Sequence, residues 1–317
     1  MAFPGSRFRK DGAAVVCAAL ACLVVGTLHA AESQQITKDN GKVRLTAGER
    51  PLLTYLYRPN PYKAYVRRLY TPDGRNVLLD SPDHHRHHHG LMYALQAGDV
   101  NFWHEFPDRS PGTQSHASLD LLRDDSGPGF QHQLHWQSAD GQTIARERRT
   151  VRLLRAGDQR NPHLLEWHTR LVPDTEDGSL TLSGHHYYGL GLRFVRDMDG
   201  DADFFNSSGE PGDIFRGAER LVEADWCAVT GTIEGEPVTV AMFGHPDNPR
   251  HPATWFTMPE SFAYLSATLN LHEKKLTITR DEPLNVRYGI ALWDHGVGAE
   301  TVDDCYRTWL ETAGGAE

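Results

Sequence analysis

Short apolar runs divided by turn signals constrain this chain more than any other feature. Residues 164–172 are the clearest case: Leu165, Trp167, Thr169 and Leu171 fall on one side of an extended chain, Glu166, His168 and Arg170 on the other. Such period-two alternation describes a strand with one buried and one wetter face. Further strand candidates are residues 52–57, stopped by Asn60-Pro61; 75–79, after an Asp73-Gly74 turn; 131–137, before Ala139-Asp140-Gly141; and 179–183, after Asp177-Gly178. Runs 238–243, 262–269, 276–280 and 284–293 complete the set. This punctuation predicts an all-β, antiparallel β-sandwich. A short C-terminal helix is expected from Thr301 as N-cap, with Asp304 three residues on and Val302, Cys305, Tyr306, Trp309 and Leu310 at helical spacing.

The first thirty residues are of another kind. Basic Arg7, Arg9 and Lys10 precede a nearly continuous apolar run from 12 to 28, and small Ala30 and Ala31 lead into Glu32-Ser33-Gln34-Gln35. That is the anatomy of a signal peptide over 1–30, leaving 31–317 as a single β-sandwich domain in a periplasmic or secreted protein. An uncleaved anchor is the alternative, and lipidation at Cys22 a lesser one; no other stretch is long enough to cross a membrane. Loss of the leader removes three basic residues and one acid and moves the formal charge from −10 to about −12. No basic stripe is present to neutralise phosphates, which disfavours a nucleic-acid partner. Cys17 and Cys22 lie in the leader, so the mature chain keeps Cys227 and Cys305, either bridged or as two buried thiols.

The chemistry-bearing residues concentrate in four places. Five imidazoles occupy His84, His85, His87, His88 and His89, with Arg86 among them. If the run is extended, His85, His87 and His89 share a face and form a candidate nest for a divalent metal of open identity. Proton transfer needs only one or two of them, and a solvated loop is the bland alternative. Next, Trp103 can offer a ring face to a sugar, Asp99 and Asn101 can bind hydroxyls, and His104 with Glu105 forms an acid–base pair, although Phe102 and Trp103 also suit a core. Residues 183–193 place His185, His186, Tyr187, Tyr188 and Arg193 on a strand among glycines that permit close approach. Finally, residues 245–252 carry Asn248, Arg250 and His251 on a loop stiffened by three prolines, which favours a functional role. The acidic run 197–203 is similar to a calcium loop but has Ser208 where a bidentate Glu is needed.

Several of these segments together resemble a bacterial family of exported proteins commonly labelled "methane oxygenase PmoA". They are residues 84–103, the Tyr-Gly-Leu-Gly-Leu-Arg-Phe stretch 188–194, the loop 245–252, and 283–288 leading to Trp293-Asp294-His295-Gly296. The likeness spans most of the mature chain and implies no established catalytic set. Methane oxidation itself is discarded, because a membrane methane monooxygenase subunit is a multi-span helical protein and this chain is patterned as strands. A second resemblance is to the galactose-mutarotase-like supersandwich of aldose epimerases and of domains in sugar hydrolases and lyases. It rests on His185-His186-Tyr187-Tyr188-Gly189-Leu190, similar to the stretch that bears the epimerase acid histidine, and on His89-Gly90. It implies a sugar substrate, and a base among the glutamates of the C-terminal half, where Glu260, Glu273 and Glu282 are positional candidates.

Three functions follow as expectations. The first is a carbohydrate-active lyase, epimerase or hydrolase acting on a small-molecule or oligosaccharide substrate. His89, His104, Glu105 and His185 would be catalytic, and Arg86, Asp99, Asn101, Trp103, Tyr187, Arg193, Asn248, Arg250 and His251 would bind substrate. The second is a non-catalytic carbohydrate-binding sandwich. The third is a metal-dependent oxidase or oxygenase at His85, His87 and His89.

Overall fold

Alternation along the strands resolves into two large antiparallel sheets packed face to face in the computed structural model, which describes residues 1, 2, 5, 34–58, 60–154 and 162–313. The expected signal peptide, with Cys17 and Cys22, lies outside the described residues. One sheet has eight strands, in the order Asp203–Asn206, Trp226–Ile233, Glu236–Gly244, Leu284–Trp293, His163–Pro173, Thr143–Leu154, Gly127–Gln137 and Thr113–Asp124. The other has ten, in the order Gln34–Asp39, Lys42–Ala47, Arg50–Leu56, Tyr65–Leu69, Leu91–Ala94, Gly189–Arg193, Tyr264–Thr268, Ala253–Met258, Glu219–Ala224 and Asp213–Arg216. A small third sheet joins Leu276–Thr279, Ser179–Ser183, Gln96–Ala97 and Val100–Asn101. The described residues from 34 onward form one compact unit. No helix among the described residues is long and apolar enough to cross a membrane.

The sandwich interior follows from register. Leu165 pairs with Ile290 and Trp167 with Tyr288, so the apolar side of the alternating strand meets the apolar side of its neighbour. Each such Leu or Ile side chain, fully buried, contributes roughly 1.5–3 kcal/mol. The interior is not wholly apolar. Arg149, fully buried, meets Glu147 with Nε–Oε1 and Nη2–Oε2 both at 2.8 Å, and donates further to the Tyr55 hydroxyl, the Ala64 carbonyl and Gln114. Trp136 Nε1 and the Thr169 hydroxyl donate to the same carboxylate. Because Tyr55 lies on the ten-stranded sheet and Ala64 immediately precedes its strand Tyr65–Leu69, their bonds from Arg149 on the eight-stranded sheet tie the two layers together.

The C-terminal helix spans Ala299–Ala313, three residues earlier than expected: Gly298 accepts from the Val302 amide, so Thr301 lies inside the first turn. Val302, Tyr306 and Trp309 pack on Trp226, Phe243, Ala291 and Trp293, the outer face of the eight-stranded sheet. Strand alternation puts Cys227 on the opposite face, so the sheet separates it from Cys305 on the helix, and both thiols are free.

Three sequence expectations are corrected. Residues 75–79 make only isolated bridges, Tyr70 with Asn76 and Leu78 with Phe194. Residues 84–89 form consecutive turns rather than a strand, with the His85 amide on the Pro82 carbonyl and the His88 amide on the His85 carbonyl. Residues 184–188 are the turn between Ser179–Ser183 and Gly189–Arg193, not part of either strand.

Replacing Arg149 with Met strands the Glu147 carboxylate in the interior. We expect a loss of about 3–5 kcal/mol in urea unfolding, the usual cost of removing one partner of a buried pair; a midpoint within error of the parent would refute the interlayer role.

Candidate functional site

The ten-stranded sheet is used on both faces. Leu190 is registered opposite Tyr93 and Ala267, and Tyr93 reaches Trp136 of the other layer, so these residues face the sandwich interior. Gly191, paired with Ser266 and Met92, must therefore face outward, as must Tyr264, Phe256 and Met258, and then Glu219 at alternating positions across the neighbouring strands. A cavity of about 410 Å³ lies over this outer face. Phe256, Met258, Phe262, Tyr264 and Tyr187 supply its apolar and aromatic surface, and His85, His87, His88 and His104 form an imidazole wall. Arg216 and Glu219 complete the lining from the far strands. Gly191 is needed here: a Cβ on it would sit 1.9 Å from the Tyr264 hydroxyl.

One buried ionic chain holds the wall. Lys63 Nζ donates to the carbonyls of Trp103 at 2.6 Å and His87 at 3.3 Å, and pairs with Glu105 at 3.1 Å. Glu105 meets His89 Nε2 at 3.0 Å, and His89 Nδ1 meets Asp80 at 2.7 Å while its ring stacks on Tyr65. Burial alone would lower the His89 pKa, but hydrogen bonds to Asp80 and Glu105 outweigh it and raise it above 6.5. Asn60 Nδ2 also lies 2.9 Å from His89 Nε2. For Glu105 burial is likewise opposed, by the Lys63 ammonium and by His89, and its pKa falls to about 2. His89 and Glu105, expected to be catalytic, are therefore the staple that holds the wall rather than part of its lining.

On the opposite side, Glu219 receives His186 Nε2 at 3.0 Å and Arg216 Nη2 at 2.6 Å. His186 stacks on Phe215 with ring centres 3.7 Å apart and packs on Phe256. Burial lowers its pKa, partly offset by Glu219. The imidazole wall is electrically neutral near pH 7. Burial, reinforced by Lys63 and neighbouring rings, brings His87 to about 3; burial, then His185, Lys63 and Arg109, brings His104 to about 4. His88 lies lower still for the same first reason. The buried Tyr264 Oη, His85 Nδ1 and His88 Nδ1 have no hydrogen-bond partner among the described residues, which is unusual for buried polar atoms.

The other expected site residues are distributed as follows. His104 and Tyr187 line the cavity, and His185 stands exposed beside them, its ring 6.4 Å from His104. His85 and His87 face the cavity, whereas His89 turns away to Asp80; no three His, Cys, Asp or Glu side chains among the described residues are placed to hold a metal ion. The divalent metal expected at 85, 87 and 89 thus finds no ligand set there, because consecutive turns destroy strand alternation. Trp103 is fully buried and stacked on Tyr188 at 4.8 Å, so it cannot serve as a sugar platform. Asn101 accepts from the amides of Trp103 and His104 and donates to the Tyr188 hydroxyl, which shapes the turn carrying His104. Asp99 is exposed in the turn after Gln96–Ala97, and Arg86 points to solvent within 4.0 Å of Asp83. Arg193 is buried, paired with Asp199 at 3.0 Å, its guanidinium 4.3 Å from the Phe262 ring centre. That pairing also withdraws Asp199 from any calcium loop.

The proline-rich loop is a clamp. Asn248 exchanges two 2.7 Å hydrogen bonds with the Arg287 backbone, Arg250 donates to the carbonyls of Leu269, Asn270 and Lys275, and His251 meets Asp225 at 3.1 Å. The loop enters Ala253–Met258 at the end opposite Met258, about 10 Å of extended chain from Phe256, the nearer cavity residue on that strand. Sequence reasoning overlooked Glu219, Arg216, Phe262 and Tyr264, and singled out His87, His88 and His186 without their carboxylate partner in this cavity. Glu260 and Glu282 are exposed and Glu273 lines a different hollow, so Glu219 is the carboxylate that this cavity holds.

The staple makes two predictions. The stability drawn from His89 is whole below about pH 6.5 and is lost as the pH rises through its raised value. Urea unfolding of a His89→Gln variant should accordingly change less between pH 6 and pH 9 than that of the parent; equal slopes would refute the charged pair. Gly191→Ala should push Tyr264 from the cavity and lower the Tm by several degrees, and an unchanged Tm with unchanged tyrosine fluorescence would refute the close approach.

No curated protein matches the chain in sequence. Among solved structures it is similar to an alpha-galactosidase from Lactobacillus brevis, with a TM-score of 0.46 and 5% identity over 83% of this chain and 40% of that one. It is also similar to a GH36 alpha-galactosidase from Geobacillus stearothermophilus in complex with raffinose, with a TM-score of 0.45 and 9% identity over 83% of this chain and 41% of that one. The chain thus spans about 40% of the length of these enzymes. Residues 42–307 match the sequence profile described as a family of unknown function, DUF6807, and the chain belongs to that family.

Proposed function

We propose that the chain is an exported carbohydrate-active enzyme that binds a sugar ring in the outer-face cavity and moves a proton on it through Glu219. The observation that carries this reading is the carboxylate itself: Glu219 is oriented by His186 and Arg216 and faces a neutral imidazole wall across an aromatic surface. Aromatic and methionine side chains suit the C–H face of a sugar. The imidazoles of His85, His87, His88 and His104 suit its hydroxyls as donors and acceptors. The cavity volume of about 410 Å³ falls in the range of small-ligand sites, roughly 300–1,000 Å³. Glu219 would act as base or acid, and Arg216 and His186 as positioning residues that keep it aimed. Lyase, epimerase and hydrolase reactions all need such a group.

Glu219→Gln should lower turnover by about 10²- to 10⁴-fold, the usual worth of a general acid or base, while leaving sugar affinity and the unfolding midpoint near those of the parent. The assay is a product screen with calorimetry alongside. Sugar binding with no product from parent or variant would instead establish a binding protein. Because His104 titrates near 4 and must stay neutral to accept a hydroxyl, affinity should be flat from pH 6 to pH 8 and fall as the pH drops through about 4. Affinity that rises on acidification would remove His104 from the site.

A further inference from the structure

A second hollow of about 210 Å³ adjoins the cavity, lined by Asn101, His104, Phe106, Arg109, Pro111 and His185. His104 lines both spaces, and the partition continues through His185, which faces the smaller one and is stacked at 5.6 Å on Tyr187, which faces the larger. The two differ in charge. In the larger cavity Arg216 is matched by Glu219 at 2.6 Å. In the annex Arg109 is the one formally charged lining residue; its guanidinium lies 4.9 Å from the Phe106 ring centre, and no carboxylate among the described residues pairs with it. Asp108, its neighbour in the turn Pro107–Arg109, is exposed and does not line the annex.

We infer that the ligand is an anionic glycoside of at least two parts: a neutral ring over Glu219 and a carboxylate-bearing second unit in the annex against Arg109, with the linkage beside His104. This rests on the sugar reading of the cavity and adds the substrate class. The annex has about half the volume of the cavity, room for a smaller or partly exposed unit. Phe106 supplies a flat apolar wall, stacked on His104 at 5.2 Å, and Asn101 and His185 supply hydrogen-bonding groups. An exposed guanidinium held over an aromatic face, with no carboxylate among the described residues paired to it, is arranged to receive a planar carboxylate through paired N–H donors.

The test is calorimetry of the mature protein against neutral disaccharides, the same disaccharides with a terminal primary alcohol oxidised to carboxylate, and the parent monosaccharides. The oxidised member of a pair should bind about five- to ten-fold more tightly, and the gap should shrink at high salt. Arg109→Gln should bring the two affinities together, with an unfolding midpoint equal to the parent's. Equal affinities in the parent, a preference that persists in Arg109→Gln, or binding of monosaccharides but not disaccharides would overturn the inference while leaving the cavity's sugar reading intact. Failure of every sugar, monosaccharides included, would overturn both.

Discussion

The chain Asp80–His89–Glu105–Lys63 is the interaction on which the site depends. Two turn segments, around His84–His89 and around Trp103–Glu105, are joined through it. Lys63 binds the backbone of both, through the His87 and Trp103 carbonyls, and Glu105 then carries the charge on to His89 and Asp80. A buried ammonium would be intolerable alone; here it is matched by a carboxylate and satisfied by two carbonyls. With that staple closed, His85, His87, His88 and His104 line the cavity, and burial keeps them neutral. The neutrality of the wall and the charge of the staple are thus two consequences of the same burial, divided by which imidazole has carboxylates beside it.

A second constraint acts on the ten-stranded sheet, whose two faces do different work. The interior face meets the eight-stranded sheet through apolar side chains and the Arg149–Glu147 cluster, which requires Leu190, Tyr93 and Ala267 to point one way. Alternation then sends Gly191, Tyr264, Phe256 and Glu219 the other way whether or not a ligand is to be bound there. The outer face becomes a site because Trp103, Tyr188 and Tyr187 cover part of it and leave the rest open. Gly191 matters at that point alone, since the Tyr264 ring occupies the space where its side chain would be.

The architecture was legible in the chain because strand alternation and turn residues are local signals. The strand over 164–172, the hairpin signal at Asp177-Gly178, the strand 284–293 and the C-terminal helix all appear close to where the pattern put them. The density of histidine at 84–89 and the polar stretch at 183–193 correctly marked segments that meet, since both contribute to one cavity. Trp103 and the proline-rich loop misled for an identifiable reason: a side chain able to bind a ligand is equally able to satisfy the protein's own backbone, as Asn248 and Arg250 do.

What the sequence determined by itself is an antiparallel β-sandwich whose imidazole-rich segments are its most reactive material, because period-two patterning and residue type are written position by position. What only the tertiary structure decided is which of those groups work together. His89 was separated from His87 by turns that reverse the direction of neighbouring side chains, and Glu219 joined His186 across more than thirty residues through sheet register. Neighbouring carboxylates then favoured the charged state of one buried imidazole, and burial the neutral state of the next. Such assignments depend on distances between segments remote in sequence, and no local pattern encodes them.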